Sequence, residues 1–207
     1  MIQFIRSISL FLLFCAGYLI HAQQDFRLGY IAGLTATQVD GDNLSGYNKI
    51  GPHLGLFVDR GLGQKLNLRA EFLFTIKGAK NYIDIDNITD PFKSAFYYIE
   101  VPLMLNYRIK DFQIEAGPSF GVLMYAYNSD KTGRYVTTSR YNTLEWGMNL
   151  GLSYTLKRDL LIYSRFSYSL DCIDGVNCGN LFTAPKLRPG YFHNCISLGI
   201  RKYFKAG

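Results

Sequence analysis

Residues 97–124, YYIEVPLMLNYRIKDFQIEAGPSFGVLM, constrain the fold of this chain more tightly than any other stretch. Apolar residues fall at every second position: Tyr97, Ile99, Val101, Leu103, Leu105, Tyr107 and Ile109, then Phe112, Ile114, Ala116, Pro118, Phe120, Val122 and Met124. A period of two is the mark of a strand with one apolar face. Only Lys110 and Asp111 separate the two runs, so the chain reverses in a tight hairpin, although Lys-Asp is not a favoured turn pair. Folding about that turn sets Ile109 opposite Phe112, Tyr107 opposite Ile114, Leu105 opposite Ala116, Leu103 opposite Pro118, Val101 opposite Phe120 and Ile99 opposite Val122. The other face then pairs Arg108, Asn106, Met104, Pro102 and Glu100 with Gln113, Glu115, Gly117, Ser119 and Gly121, all small or polar. A slip of one residue would mix the faces. Pro102 and Pro118 sit in adjoining strands and cannot donate ladder hydrogen bonds, which predicts a local bulge or bend.

The same alternation recurs along the chain. Strands are expected at about 26–37, 51–59, 65–78, 97–109, 112–124, 144–156, 160–171 and 195–204. The connections between them run long, short, long, short, long, short, long, with polar loops at 38–49, 79–95, 126–141 and 172–191. Eight strands joined in that rhythm describe an up-and-down antiparallel barrel, with turns at one rim and loops at the other.

Alternation alone fits two barrels, a soluble lipocalin-like one with its apolar face inward and a membrane one with that face outward. The second face decides between them. It is dominated by Gly, Ser, Asn and Thr, where a water-facing surface would be rich in Lys and Glu. Its isolated charges are of both signs: Arg69, Arg108, Arg165 and Arg201 against Glu71, Glu100, Glu115 and Glu145. Such residues suit a narrow lumen in which opposite charges neutralise one another as a structural ion-pair network. Aromatics on the apolar face cluster near strand ends, Tyr107, Phe112, Tyr154 and Phe204 near the turns and Tyr97, Trp146 and Tyr168 toward the loops, as two interfacial girdles would. The expected fold is therefore all-β: an eight-stranded antiparallel up-and-down transmembrane β-barrel. Its interior is just wide enough for side chains, which argues against a general porin.

The first 22 residues stand apart. Arg6 precedes an apolar run from Ile8 to Ile20, and His21-Ala22 follows before Gln23. This is the layout of a cleavable signal peptide (1–22), with cleavage between Ala22 and Gln23 and the barrel domain at 23–207. A lipoprotein signal at Cys15 is disfavoured, because Phe14 stands where a small residue is required. The formal net charge of +6 is scattered, with no basic stripe and no stacking motif of the nucleic-acid type. Anionic lipid head groups are the better match.

Several segments also carry a family likeness: GYIAGLTATQVDGDNLSGYNKIGPHLGLFV, LRAEFLFTIKGAK, YYIEVPLMLNYRI, FQIEAGPSFGVLM, WGMNLGLSYTL and the closing ISLGIRKYF. Together they resemble the PorT-like family of outer-membrane β-barrel proteins, across nearly the whole exported chain. The resemblance implies an eight-stranded barrel in the outer membrane of a Gram-negative bacterium. Through the name-giving branch it implies an association with type IX protein secretion. It supplies no catalytic motif. One departure is the end of the chain, where Tyr203-Phe204 is followed by Lys205-Ala206-Gly207 and not left as the terminal aromatic that the barrel insertion machinery often reads.

Candidate sites remain. His53 and His193 fall near the loop rim on the inward face, and the expected register sets His53 beside Glu71. A lipid-modifying hydrolase would need such a pair plus a placed nucleophile, for which Ser197 and Ser119 are available without any spacing that singles them out. Asp40, Asp42 and Asn43, and Asp84, Asp86, Asn87 and Asp90, offer oxygen ligands to calcium but lack the distal Glu of the full loop pattern. Cys172 and Cys178 flank IDGVN in the last loop, where an exported protein permits a disulfide, leaving Cys195 on the inward face. The reading is a non-enzymatic barrel without cofactor, metal or nucleic acid, whose long loops meet an envelope or secretion partner. The alternatives are a lipid-modifying outer-membrane enzyme and a soluble ligand-binding barrel.

Overall fold

The computed structural model describes residues 26–42, 46–81, 92–174 and 190–205. Alternating sequence becomes strand throughout: β1 Phe26–Asp40, β2 Lys49–Gly61, β3 Leu66–Lys77, β4 Lys93–Ile109, β5 Phe112–Asp130, β6 Gly133–Val136, β7 Leu144–Lys157, β8 Leu160–Ser169 and β9 Phe192–Tyr203. Neighbours pair antiparallel in the order β4-β3-β2-β1-β9-β8-β7-β5, and β4 pairs with β5 to close the sheet into an eight-stranded barrel. The ninth strand, β6, is a short return beside the far end of β5. Closure leaves the eight long strands without a free edge, which a lipid-embedded sheet requires because hydrocarbon offers no hydrogen-bond partners. No described helix is long and apolar enough to cross a membrane.

The β4–β5 hairpin follows the register expected of it. Ile109 faces Phe112, Tyr107 faces Ile114, Leu105 faces Ala116, Val101 faces Phe120 and Ile99 faces Val122. Lys110 adopts a positive φ of 55°, the left-handed conformation that a two-residue turn demands and that a Cβ makes costly. At the prolines the register continues, but the ladder lapses between Pro102–Ser119 and Leu105–Ala116. The register shift lies elsewhere, at Tyr97/Tyr98, where Met124 is the extra residue on β5. The prolines thus remove hydrogen bonds locally without moving the strands.

The apolar face is the outer one. Leu34, Leu150 and Leu198 are about 60% exposed, whereas Arg69, Glu115 and Arg201 on the inner face are fully buried. The inner face is less polar than composition suggests, because Ile31, Phe57, Leu73, Leu161, Tyr163 and Tyr203 form one buried cluster within it. Val39, Ala79, Phe96, Tyr98, Leu123, Ala126 and Ile173 form a second, which includes the loop-side ends of β1, β4 and β5. Glycines make room for the large rings. A Cβ on Gly29 would meet the Phe57 ring at 2.4 Å, and Gly33 and Gly199, cross-strand partners, lie under the Tyr163 ring.

Two expectations need correction. Residues 126–141 are not one loop: β5 continues to Asp130, turns, and returns as β6, followed by a 3-10 turn at Thr138–Arg140. His53 does not pair with Glu71. It faces Thr75, while Glu71 faces Phe57, because the turn after Gly61 sets Asp59 opposite Arg69.

Candidate functional site

The alternation that sends aliphatic side chains to lipid sends every second residue inward, and closure brings the inward charges together in two layers. The layer nearer the turns joins Arg69 of β3, Arg165 of β8 and Arg201 of β9 to Asp59 of β2, Glu71 of β3 and Glu115 of β5. Arg165 forks onto Glu71, with Nη1–Oε2 2.6 Å and Nη2–Oε1 2.8 Å. Arg201 forks onto Glu115 at 2.5 and 2.8 Å. Arg69 donates to both oxygens of Asp59, at 2.7 and 3.1 Å. Cross-links join the pairs: Arg165 to Glu115 at 3.1 Å, Arg201 to Glu71 at 3.3 Å and Arg69 to Glu115 at 3.7 Å. The Tyr203 hydroxyl donates to Asp59, and Arg27 reaches Tyr203 from the rim. Three guanidiniums meet three carboxylates, so the layer is neutral. Bidentate geometry is what lets buried charges of this kind offset their desolvation.

The second layer, nearer the loops, is built around a gap. Glu100 of β4 and Glu145 of β7 both flank Gly121 of β5, whose missing side chain leaves them facing the lumen side by side. Lys77 of β3 bridges the two, with Nζ 2.6 Å from Glu100 and 2.8 Å from Glu145. Ser169 donates to Glu145 Oε1 at 2.6 Å, and His193 Nδ1 lies 3.0 Å from Oε2. A carboxylate accepts, so Nδ1 carries the proton and Nε2 is left without a protein partner. The edges of Phe96 and Tyr98 close around the imidazole, with ring centroids at 5.0 and 5.5 Å. Among the described residues, Lys77 is the one lysine or arginine that pairs with these two carboxylates. In both layers the cations also face rings: Arg201 lies 4.0 Å from the Tyr163 centroid, Arg69 5.2 Å from Phe57 and Lys77 5.0 Å from Tyr98.

Of the charges expected inside, Arg69, Glu71, Glu115, Arg165 and Arg201 share the first layer, and Glu100 and Glu145 the second. Arg108 joins neither. It lies half-buried beside the β4–β5 turn and makes no ion pair among the described residues. Asp59, Lys77, Ser169 and Tyr203 belong to the layers although charge and spacing did not single them out. Asp59 and Lys77 were legible in one respect, since each has the inward parity of its strand.

A hydrolytic arrangement does not form from these groups. Ser169 donates to Glu145 and accepts from the backbone N–H of His193 at 3.2 Å, so its hydroxyl is turned away from the imidazole. His53 Nδ1 contacts the Thr75 hydroxyl at 3.1 Å, and neither histidine contacts Ser119 or Ser197. Among the described residues there is no cluster of three or more His, Cys, Asp or Glu able to hold a metal. Asp40 is engaged by Gln38 and Asn194; Asn43 and the 84–90 carboxylates lie outside the described residues. Cys172 is disulfide-bonded and Cys195 is free and buried; Cys178 lies outside the described residues, as do Ala22 and Gln23.

The family described as outer membrane protein beta-barrel domain matches residues 21–174. The chain belongs to this outer-membrane β-barrel family. Its place is accordingly the outer membrane of a Gram-negative envelope. No curated protein matches the sequence. Among solved structures, Neisserial surface protein A is similar at 14% identity and a TM-score of 0.54, covering 86% of this chain and 97% of its own. Ail, the attachment invasion locus protein of Yersinia pestis, is similar at 13% identity and a TM-score of 0.49, covering 87% and 100%. OprG of Pseudomonas aeruginosa shows 11% identity and a TM-score of 0.41, covering 88% and 96%. At these identities the likeness concerns the barrel itself.

Proposed function

We propose that this outer-membrane barrel works without catalysis or transport through its lumen, and that its long loops bind an envelope or extracellular partner. The observation that supports this is the interior: two ion-pair layers and two apolar clusters fill it with side chains, most of them under 9% exposed. An eight-stranded interior filled in this way leaves the loop rim as the surface available for work. The finer reading is that the chain is a PorT-like barrel serving type IX secretion or envelope integrity, as its segment likeness implies. The same reading includes a signal peptide cut between Ala22 and Gln23 and a Cys172–Cys178 bridge.

Crosslinking in the native envelope followed by pull-down tests the partner directly. A reproducible crosslink that is lost when the loop segments 82–91 and 175–189 are shortened is the expected result. Crosslinks confined to the periplasmic turns would overturn the loop reading, and steady single-channel currents from purified protein in planar bilayers would overturn the closed lumen. An exported cargo that reaches the surface normally in a deletion strain would remove the secretion role while leaving the loop reading intact. N-terminal sequencing should begin at Gln23, and mass measurement with and without reductant should report the bridge.

A further inference from the structure

The outer surface carries a cationic and aromatic patch at the loop rim that the lumen does not involve. At the loop-side ends of β4 and β5 the outward residues Ile99 and Val122 give way to Tyr97 and Tyr125, both half-buried, and to Tyr127, which is buried beneath Arg134. Tyr97 pairs with Tyr125, and its ring lies 6.2 Å from that of Phe74, which faces lipid, so the tyrosines are on the outside. Their rings form a cluster, with Tyr97 to Tyr125 at 5.7 Å and Tyr97 to Tyr127 at 6.3 Å. One row further from the membrane, Ser129 has two cross-strand partners, Lys93 on β4 and Arg134 on β6. Cross-strand partners share a face, so both cations stand on the outside directly above the tyrosines.

Arg134 sits over Tyr127, its guanidinium carbon 3.6 Å from the ring centroid. Stacking of that kind leaves the N–H groups along its edge free for a planar or tetrahedral anion. Neither Arg134 nor Lys93 meets a carboxylate among the described residues. The nearby Asp130 carboxylate is engaged by the Thr132 hydroxyl and backbone N–H, at 2.5 and 2.8 Å.

We infer that the Lys93–Arg134 pair and the Tyr97–Tyr125–Tyr127 cluster form a docking site for the phosphorylated sugar headgroup of an outer-leaflet glycolipid. The chemistry is matched in layers. The apolar strip below takes acyl chains, the half-buried Tyr97 and Tyr125 rings take the apolar side of a sugar ring, Tyr127 serves as the platform for Arg134, and the two cations take phosphate through charge-assisted hydrogen bonds. Height selects this ligand, because the cations sit just beyond the aromatic row that marks the membrane interface. The site stands independently of any partner bound by the loops.

The test is native mass spectrometry of the purified full-length barrel in detergent, titrated with bisphosphorylated lipid A. Folding is checked by the heat-modifiable gel shift. Wild type should retain lipid A, and the double variant K93Q/R134Q should weaken retention about tenfold or more while keeping the shift. A turn-rim control, R60Q/K65Q, should bind as wild type. Dephosphorylated lipid A should bind as weakly as the double variant binds the parent lipid, and inorganic phosphate should not displace the lipid. Equal binding by K93Q/R134Q, equal binding of the dephosphorylated lipid, or an equal loss in R60Q/K65Q would overturn the site. Displacement by inorganic phosphate would reassign it to a free anion. If the double variant loses the gel shift, R134Q alone answers the question, because all four residues of β6 are exposed.

Discussion

The two ion-pair layers use the same residue types on the same barrel, yet they are built to different standards. The arginine layer is balanced, three cations to three carboxylates, and every carboxylate in it is held by a forked guanidinium. The lysine layer has one cation shared between two glutamates, with a serine and a histidine completing Glu145. Each guanidinium of the first layer holds one carboxylate through two bonds of fixed geometry and reaches a second, whereas Lys77 spreads a single point charge over two acceptors. The arginine layer is therefore the structural lock of the barrel, and the lysine layer beneath the loops is the softer of the two.

The largest expected effect tests that difference outright. Glu115→Gln removes the forked acceptor of Arg201 and leaves three buried guanidiniums to share Asp59 and Glu71, one positive charge in excess, so urea unfolding in lipid vesicles should show a loss of about 3–5 kcal/mol. Glu145→Gln leaves Lys77 on Glu100 and should cost about 1–2 kcal/mol in the same assay. Comparable losses would erase the distinction between the layers. A double-mutant cycle on Arg165 and Glu71 sharpens it. Arg165→Met with Glu71→Leu together should be less destabilising than either change alone, since each single variant leaves the buried layer with one charge in excess.

The glycines beside each layer give a subtler comparison. A Cβ on Gly151 would lie 2.8 Å from the backbone oxygen of Ser164 and 3.4 Å from Glu115, so Gly151→Ala should cost about 1–3 kcal/mol. At Gly121 the nearest atoms are the Tyr98 ring at 3.4 Å and Glu100 at 3.5 Å, with no backbone atom as near. Gly121→Ala should be neutral or stabilise by up to about 1 kcal/mol, because it restricts the unfolded chain. Similar losses at both would mean that the loop-side layer is packed as tightly as the other. The smallest effect lies in the β4–β5 turn, where Lys110→Asn should gain about 1 kcal/mol by suiting the positive φ.

Much of this molecule is legible in its sequence. The hairpin register followed from apolar residues meeting apolar ones about Lys110-Asp111, because in a barrel wall that agreement holds only in one alignment. The outward direction of the apolar face followed from what lay opposite it, glycine and small polar residues with charges of both signs. Strand ends were less legible. Tyr127 and Ser129 read as loop because a bulge at Met124 breaks the alternation, and the polar composition beyond it hides that pairing continues. The inward-facing Ile31, Phe57 and Leu73 are hidden for a related reason: they break the rule of an apolar outside and a polar inside.

What the sequence determined by itself is everything with a period or a nearest neighbour: the strands, the turns, the two faces and the pairing across a short connection. The tertiary structure alone decided which inward charges meet. Arg165 finds Glu71 across 94 positions, and Arg201 finds Glu115 across 86. Alternation says that these side chains point inward, but their height in the lumen depends on the stagger that each strand acquires when the sheet closes. That stagger belongs to the whole barrel, so it placed Asp59 and Lys77 in the network and left Arg108 at the rim.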